Sequence, residues 1–230
     1  MSELKKIVVI GPESTGKSTL CELLALHYNT LWCPEYAREY LLTHGIHYTY
    51  DDLLTIAKGQ LALEEEYVVK SEKLRVKTGE EGEHQTAGVK RETTEIKSVS
   101  FNQSAIELQS APKESIRTIR NRQSAIDVLF IDTDMYVMKV WSEYVFKKCD
   151  PFIDEQIASR KYNLYLHCDI DLPWEADVLR EYPDEERRRE LYEIYKSLLS
   201  NQQTPWVEIS GNYEERLQKA INAVDTFFGK

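Results

Sequence analysis

The chain has 230 residues, a formal net charge of −10 at pH 7 and a mean hydropathy of −0.50. A chain this acidic repels a phosphate backbone, and no apolar run reaches the roughly 20 residues of a membrane span, so we expect neither a nucleic-acid nor a membrane partner. Its four cysteines form no CxxC pair and no signal-peptide pattern opens the sequence, which predicts a soluble cytoplasmic protein.

Short apolar runs alternate with helical patterns along the chain, which predicts a parallel sheet covered by helices on both faces. We predict one three-layer α/β domain over residues 1–230. The predicted strands are 6–10, 30–33, 128–132, 163–168 and 206–209. The predicted helices are 17–27, 35–43, 50–69, 135–147, 151–159, 184–200 and 213–228.

The most specific motif follows the first predicted strand. Residues 11–18 read GPESTGKS, the complete pattern G-x-x-x-x-G-K-[ST] of a phosphate-binding loop, or P-loop. Such a loop leaves a strand and enters a helix N-terminus, whose N–H groups and dipole attract anions. The motif's lysine contacts the β- and γ-phosphates of ATP and its last hydroxyl ligates Mg²⁺, so we predict ATP and Mg²⁺ as cofactors. The predicted nucleotide-binding residues here are Gly11, Glu13, Ser14, Thr15, Gly16, Lys17, Ser18 and Thr19.

Aromatic and charged residues follow the second predicted strand, next to the expected site of a phosphate acceptor. Glu35 is placed to accept the proton of a substrate hydroxyl, and Arg38 lies one helical turn further on. Trp32 and Tyr36 offer rings that can stack on a flat base. The alternative is a solvated helix face on which Glu35 and Arg38 form an ion pair.

Residues 70–122 differ in composition from the rest of the chain. Phe101 is their only aromatic residue, and they carry 11 Lys and Arg against 8 Glu. A segment this poor in large apolar side chains buries too little surface to offset its ordering entropy. We predict a largely flexible, weakly basic insertion at about 70–122.

The third predicted strand ends in Asp132, at the sheet edge where ligands bind in open α/β folds. An aspartate at the end of an apolar strand beside a P-loop strand is typical of a Mg²⁺ site. We therefore predict that Asp132 and Ser18 hold the metal. Asp134 is either the N-cap of the next helix or a substrate contact.

Arginines follow the fourth predicted strand, a place suited to a mobile lid that carries guanidinium groups to a transferring phosphoryl group. We predict Arg180 and Arg187 as catalytic residues. Three arginines stand together at 187–189, and helical spacing prevents all three from facing one site. The alternative is a solvated helix face on which these arginines pair with neighbouring carboxylates.

The fifth predicted strand is followed by Gly211, just before the last predicted helix. A glycine loop in this place is as well suited to pass close to an adenine base as to be an ordinary helix entry. Gly211 is therefore a candidate nucleotide-binding residue, with both interpretations open.

Taken together, these motifs resemble the ribosylnicotinamide kinase domain of NadR-like NAD-biosynthesis proteins, a P-loop nucleoside-kinase-like, AAA-type family. The resemblance implies a sheet order of 2-3-1-4-5 and transfer of the ATP γ-phosphoryl group to the ribose 5′-hydroxyl of nicotinamide riboside. The matching segments are GPESTGKST (11–19), PEYAREY (34–40), IAKGQ (56–60), FIDTDMYVMKVWSEYVF (130–146) and LPWEADVLR (172–180).

Three features depart from the pattern of that family. Its members usually carry an upstream adenylyltransferase domain, which we do not expect because the P-loop strand stands at the start of this sequence. The family's lid commonly reads Asp-Gly-Leu-Arg, whereas Asp177 here is followed by Val178, which bears on lid conformation and substrate choice. Typical members have only a short link where this chain has its insertion.

The sequence thus predicts an ATP- and Mg²⁺-dependent kinase that converts nicotinamide riboside to nicotinamide mononucleotide. The alternative is a P-loop ATPase or nucleotide-dependent regulatory module without a small acceptor, and a weaker one is an inactive kinase. The sequence leaves the oligomeric state open, a homo-oligomer included. The residues predicted to carry catalysis are Lys17, Glu35, Asp132, Arg180 and Arg187.

Overall fold

The computed structural model describes residues 3–81, 126–179, 181 and 184–230. The strands in this part of the chain are β1 (Lys5–Ile10), β2 (Trp32–Cys33), β3 (Val128–Asp132), β4 (Leu164–Cys168) and β5 (Trp206–Ile209). The helices are α1 (Lys17–Tyr28), α2 (Tyr36–His44), α3 (Tyr50–Glu81), α4 (Met135–Phe146), α5 (Pro151–Ser159), α6 (Glu185–Ser200) and α7 (Tyr213–Phe227). None of these helices is both long enough and apolar enough to cross a membrane.

The five described strands form one parallel sheet in the order β2-β3-β1-β4-β5, which confirms the predicted order. β1 lies in the middle, between β3 and β4, and is joined to each by consecutive register pairs. The carboxyl ends of parallel strands meet at one edge of a sheet, where ligands bind in such folds. The loops that follow β1 and β3 are therefore neighbours at this edge.

Alternating residues of the central strands build a core on each face of the sheet, as a strand period of two requires. Ile7 and Val9 join a cluster formed mainly with α1 and α7. Val8 and Ile10 join a second cluster that includes side chains of α4 and α6. A third cluster lies between α2, α3, α4 and α5, next to the turn that follows β2. The three-layer prediction is confirmed.

Helix α3 corrects the predicted start of the insertion. The helix does not end near residue 69 but continues to Glu81, and Ser71 within this extension is buried. Residues 70–77 are mostly Lys, Glu, Leu and Arg, which favour a helix whether or not they are buried. An ion pair between Glu66 and Lys70, one turn apart, adds to the stability of this part of the helix. The remainder of the predicted insertion, 82–122, lies outside the described residues.

A buried histidine sits in the sheet beside the second cluster. His167 on β4 is 0% exposed, and its ring stacks on Tyr192 of α6 with 4.5 Å between ring centroids. Neither ring nitrogen has a hydrogen-bond partner among the described residues. Burial lowers the pKa of His167 to about 4, although the charge of Glu208 raises it and that of Lys196 lowers it further. The folded chain therefore holds this imidazole neutral.

We predict that His167 makes the chain less stable in mild acid. In the unfolded chain this imidazole takes up a proton below its ordinary pKa of about 6.5, whereas in the folded chain it does so only near pH 4. The free energy of unfolding is therefore highest above pH 6.5 and falls as the pH drops towards 4. We expect a contribution of about 2–3 kcal/mol to this loss by pH 4.5. Urea unfolding of His167→Phe should show a correspondingly flatter pH dependence between pH 7 and 4.5.

The exposed His47 provides the matched control, because His47→Phe removes an imidazole without emptying a buried site. An unchanged pH dependence in His167→Phe would contradict the assignment of acid sensitivity to the buried ring.

Candidate active site

Glycines and internal hydrogen bonds set the backbone conformation of the P-loop. Gly11 has φ +149°, and a Cβ on it would lie 2.7 Å from the carbonyl oxygen of Cys168, so the loop crosses the end of β4 where no side chain fits. Gly16, the N-cap of α1, has φ +74°. The hydroxyl of Thr15 and the ammonium of Lys17 each donate to the carbonyl of Pro12 at 2.8 Å. These bonds and the two glycines fix the backbone of the loop between β1 and α1.

The predicted metal pair is brought into contact. Val9 is the register partner of Asp132, so the β1–β3 pairing sets this carboxylate beside the P-loop. The Ser18 hydroxyl donates to Asp132 Oδ2 at 2.5 Å, while the other carboxylate oxygen of this 1% exposed side chain has no partner among the described residues. Burial, and then the charge of Glu35, raise the pKa of Asp132 to about 7, against the lowering influence of Lys17. Hydroxyl and carboxylate oxygens are ligands that Mg²⁺ prefers, so this pair fits the metal.

The residues after Asp132 form a strained turn. Thr133 has φ +69°, a left-handed conformation that is rare for a β-branched residue, and its N–H donates to the Val9 carbonyl at 3.1 Å. Asp134 is buried and accepts hydrogen bonds from the Tyr136 N–H at 3.0 Å and the Tyr165 hydroxyl at 2.8 Å. Of the two roles that the sequence left open for Asp134, the structure shows the helix N-cap, and the substrate contact stays a prediction.

The turn after β2 is supported from α3. A Cβ on Gly59 would lie 2.0 Å from the ring of Tyr36, so this ring packs directly on the α3 backbone. The buried Gln60 accepts from the Tyr36 N–H at 2.7 Å and donates to the Pro34 carbonyl at 3.4 Å. Glu35 stands between these two anchored residues, half-buried, and its side chain makes no hydrogen bond within the described part of the chain. The turn is held while its carboxylate is left available.

Gly59 and Gln60 are residues whose role sequence reasoning missed. They were included in the matching segment 56–60, but nothing assigned them a task. The signal was a glycine followed by a glutamine in the middle of an otherwise regular helix. The glycine lowers helix stability, and the glutamine amide needs hydrogen-bond partners when it is buried.

Trp32 and Tyr36 pack against different clusters of the core, and stacking of either ring on a base stays a prediction. Successive strand residues point to opposite faces, and Trp32 is opposite Phe130 while Cys33 is opposite Ile131. Trp32 accordingly packs against the α1–α7 cluster, whereas Tyr36 packs against the cluster next to the β2 turn. Of these two rings, only that of Tyr36 packs against the cluster that contains side chains of α2, the helix whose N-cap is Glu35.

The segment after β4, residues 169–184, is here called the lid, and described residues within it contact the P-loop. The Ser14 hydroxyl oxygen accepts from the Glu175 N–H, and the Glu13 carboxylate accepts from the Glu181 N–H, both at 2.9 Å. The side chains of Glu13 and Ser14 thus hold the lid, and their binding of nucleotide stays a prediction.

The lid is also tied to the acceptor side. Arg38 binds both carboxylate oxygens of Asp177, with its closest contact at 2.7 Å, instead of pairing with Glu35. The neighbouring Val178, the departure from the family pattern, is 71% exposed, so its side chain packs against little. The Arg38–Asp177 pair joins α2 to the lid.

The lid arginines are only partly where the sequence placed them. Arg187 is exposed and contacts Asp184 at 3.5 Å, and Arg180 lies outside the described residues. The arginine that reaches the P-loop is Arg188, which is 5% exposed and donates to the Ser14 carbonyl at 3.3 Å. Its helical spacing to Leu191, Tyr192 and Tyr195, which are all buried, was the signal that this arginine faces inward.

Gly211 has φ +105°, and its N–H donates to the Asp171 carboxylate at 2.5 Å. A Cβ there would lie 2.4 Å from Glu215, so the glycine is required by the entry into α7, whose N-cap is Asn212. A contact with adenine stays a prediction. Beside it, the buried Arg216 reaches the back of the P-loop, a placement that no motif in the sequence indicated.

A five-stranded parallel sheet of this order, with a G-x-x-x-x-G-K-[ST] loop leading from β1 into α1, defines a P-loop nucleotide-binding protein. Within that class, the chain belongs to the family described as AAA domain, whose model matches residues 6–76 and 83–216.

Named relatives agree with the family. The chain is 22% identical to the trifunctional NAD biosynthesis/regulator protein NadR of Escherichia coli (strain K12), over 99% of this chain and 43% of that protein. It is 21% identical, with the same coverage, to the NadR protein of Salmonella typhimurium. The chain thus spans less than half the length of these curated relatives. The NadR-like resemblance drawn from the motifs is confirmed.

Solved structures show the same fold. A NadR protein in complex with NR has a TM-score of 0.62 and 21% identity to this chain, and one in complex with NAD and AMP-PNP has a TM-score of 0.57 and 21% identity. In both cases the match covers 99% of this chain and 50% of the solved chain.

The glycines of the loop allow a test of how tightly it is packed. Gly11 and Gly45 both have positive φ, but nothing lies within 4 Å of the Cβ position of Gly45. Backbone strain alone costs about 1 kcal/mol in Gly45→Ala, whereas in Gly11→Ala the Cβ also strikes the Cys168 carbonyl, and we expect about 2–4 kcal/mol. Urea unfolding of both variants measures the difference. Equal losses would mean that the loop does not press on β4.

Proposed function

We propose that this domain is an ATP- and Mg²⁺-dependent kinase that phosphorylates the 5′-hydroxyl of nicotinamide riboside. The observation that carries the proposal is the contact between Ser18 of the P-loop and the buried Asp132, with Glu35 close enough to raise the pKa of that aspartate. A switch that only binds nucleotide does not need a second carboxylate beside its metal pair. Similarity to a NadR protein that binds NR supports the choice of acceptor.

In this proposal Mg²⁺ is held by Ser18 and Asp132. The unpartnered buried oxygen of Asp132 supports this assignment, because a desolvated carboxylate oxygen without a donor is costly unless a cation occupies its lone pairs. When bound, the metal would neutralise charge on the β- and γ-phosphates. Lys17 leaves the carbonyl of Pro12 and places its ammonium on the same phosphates.

The acceptor is activated from the β2 turn. Glu35 accepts the proton of the ribose hydroxyl as the acceptor oxygen forms its bond to the γ-phosphorus and the bond from that phosphorus to the bridging oxygen of ADP breaks. Tyr36, fixed on Gly59, supplies a ring next to this carboxylate. Arg38, Trp32 and the lid arginines Arg180 and Arg187 stay predicted contacts of the substrates.

The lid excludes water in this mechanism. Its bonds to Glu13, Ser14 and Arg38 bring it over both the phosphate loop and the acceptor turn, so that it opens for exchange and closes for transfer. Closure before transfer favours the riboside over water as acceptor. The proposal concerns this domain alone.

The first test is ADP release with nicotinamide riboside and a panel of other nucleosides. We expect turnover with nicotinamide riboside, and Lys17→Ala and Asp132→Asn should each lose about 100-fold or more in kcat/KM, because each removes a preorganised charge from the phosphates or their metal. Lys219→Ala is the matched control, since Lys219 binds Ser210 on the surface of α7. Turnover with no nucleoside would contradict the kinase, and turnover with another nucleoside only would contradict the acceptor.

The second test separates the general base from the metal site. Glu35→Gln keeps the size of the side chain but removes the proton acceptor, so kcat should fall by about 100- to 10,000-fold. The KM for ATP should stay near the wild-type value, because in this proposal Glu35 acts on the acceptor hydroxyl and holds neither the phosphates nor the metal. A strong ATP hydrolysis rate without acceptor, unaffected by Glu35→Gln, would instead favour an ATPase.

A further inference from the structure

A buried arginine from the last helix lies behind the P-loop. Arg216 is 3% exposed, and its guanidinium donates to the carbonyls of Thr15 at 3.0 Å, Asp169 at 2.8 Å and Gly211 at 2.8 Å. The Asp171 carboxylate pairs with the same guanidinium. Every one of these acceptors belongs to a loop at the carboxyl edge of the sheet, so one side chain joins the P-loop, the start of the lid and the entry to α7.

The bond to Thr15 determines where the next amide points. A trans peptide is planar, and its C=O and N–H lie on opposite sides. The peptide between Thr15 and Gly16 is trans, so holding its carbonyl towards Arg216 turns the Gly16 N–H to the opposite side, away from the guanidinium.

Arg188 acts in the same way on the preceding peptide. It donates from the first turn of α6 to the Ser14 carbonyl at 3.3 Å and to the Leu172 carbonyl at 3.4 Å. Because the peptide between Ser14 and Thr15 is also trans, the Thr15 N–H points away from Arg188. Two arginines from separate helices thus hold two consecutive peptide planes of the P-loop.

The two amides that point away from the arginines are not used in hydrogen bonds by the described part of the protein. Within the described part of the chain, neither the Thr15 N–H nor the Gly16 N–H donates a hydrogen bond. Amide donors that are already aligned bind an anion without the entropic cost of ordering a flexible loop. Asp171 balances the charge of Arg216, which limits the cost of burying it.

We infer that Arg216 and Arg188 are positioning residues for the nucleotide: by holding the Thr15 and Ser14 carbonyls, they aim consecutive N–H groups of the P-loop at the phosphates. This inference rests on the proposed binding of ATP and adds the residues that preorganise its site. Neither arginine needs to touch the nucleotide.

The test is calorimetric titration of Mg·ATP into the full chain, without acceptor. Losing one or two well-placed amide contacts corresponds to a roughly 10- to 100-fold weaker Kd, which we expect for Arg216→Met and, to a smaller extent, for Arg188→Met. Arg216→Lys keeps the charge but has a single ammonium instead of a planar fork, so it should restore only part of the affinity. In turnover assays the KM for ATP should rise while the KM for the riboside stays the same.

Arg160 provides the matched control for a merely structural effect. It is a largely buried arginine that pairs with Glu64 and Glu65 away from the P-loop. Arg160→Met should lower the thermal unfolding midpoint and leave the Kd of Mg·ATP unchanged. The thermal unfolding midpoint of each variant shows whether it folds. If Arg216→Met does not fold, Arg188→Met tests the same geometry from a different helix.

The outcomes separate this inference from the proposed function. Wild-type affinity for Mg·ATP in folded Arg216→Met would overturn the inference and leave the kinase proposal standing. If Arg216→Met does not fold, wild-type affinity in folded Arg188→Met would have the same consequence. An equal loss of affinity in Arg160→Met would also overturn it, because stability alone would then explain the effect. A wild-type chain that binds Mg·ATP but phosphorylates no nucleoside would overturn the kinase and leave the inference intact. A wild-type chain that binds no Mg·ATP would overturn both.

Discussion

The pairing of β1 with β3 is the constraint on which the site depends. Both strands are almost entirely buried, and their register places Asp132 opposite Val9, two residues before the P-loop begins. A slip of one residue would turn every side chain of β3 to the other face and carry the carboxylate away from Ser18. The apolar burial that forms the sheet therefore also fixes the distance between the phosphate loop and Asp132.

Charge is distributed unevenly around this edge. The chain as a whole is strongly acidic, yet the buried Arg216 behind the P-loop has a local counterion in Asp171. By contrast, burial and then the charge of Glu35 disfavour the charged form of Asp132 and raise its pKa. Sites that keep such a conflict are commonly functional, because a ligand relieves it. A cation held by Asp132 would do so.

Much of the fold could be predicted because the relevant signals are local. Continuous apolar runs marked the strands, and the predicted helix starts lie within one residue of the observed ones. The extension of α3 was missed because a lack of aromatic residues reports on burial, not on helix propensity, and the lysine- and glutamate-rich continuation needs little burial to remain helical. The cluster against which Trp32 packs could not be predicted, because aromatic character does not say which face of a strand a ring occupies.

The sequence by itself located the P-loop and the aspartate beside it, because a P-loop is a contiguous motif and an aspartate at a strand end needs only the sheet to reach it. Which groups shape that loop was decided by tertiary structure. Arg188 and Arg216 hold carbonyls 174 and 201 positions away along the chain. Helical spacing can show that Arg188, among three adjacent arginines, faces inward, but it cannot say which carbonyl that arginine contacts, because the contact depends on how α6 packs against the loop.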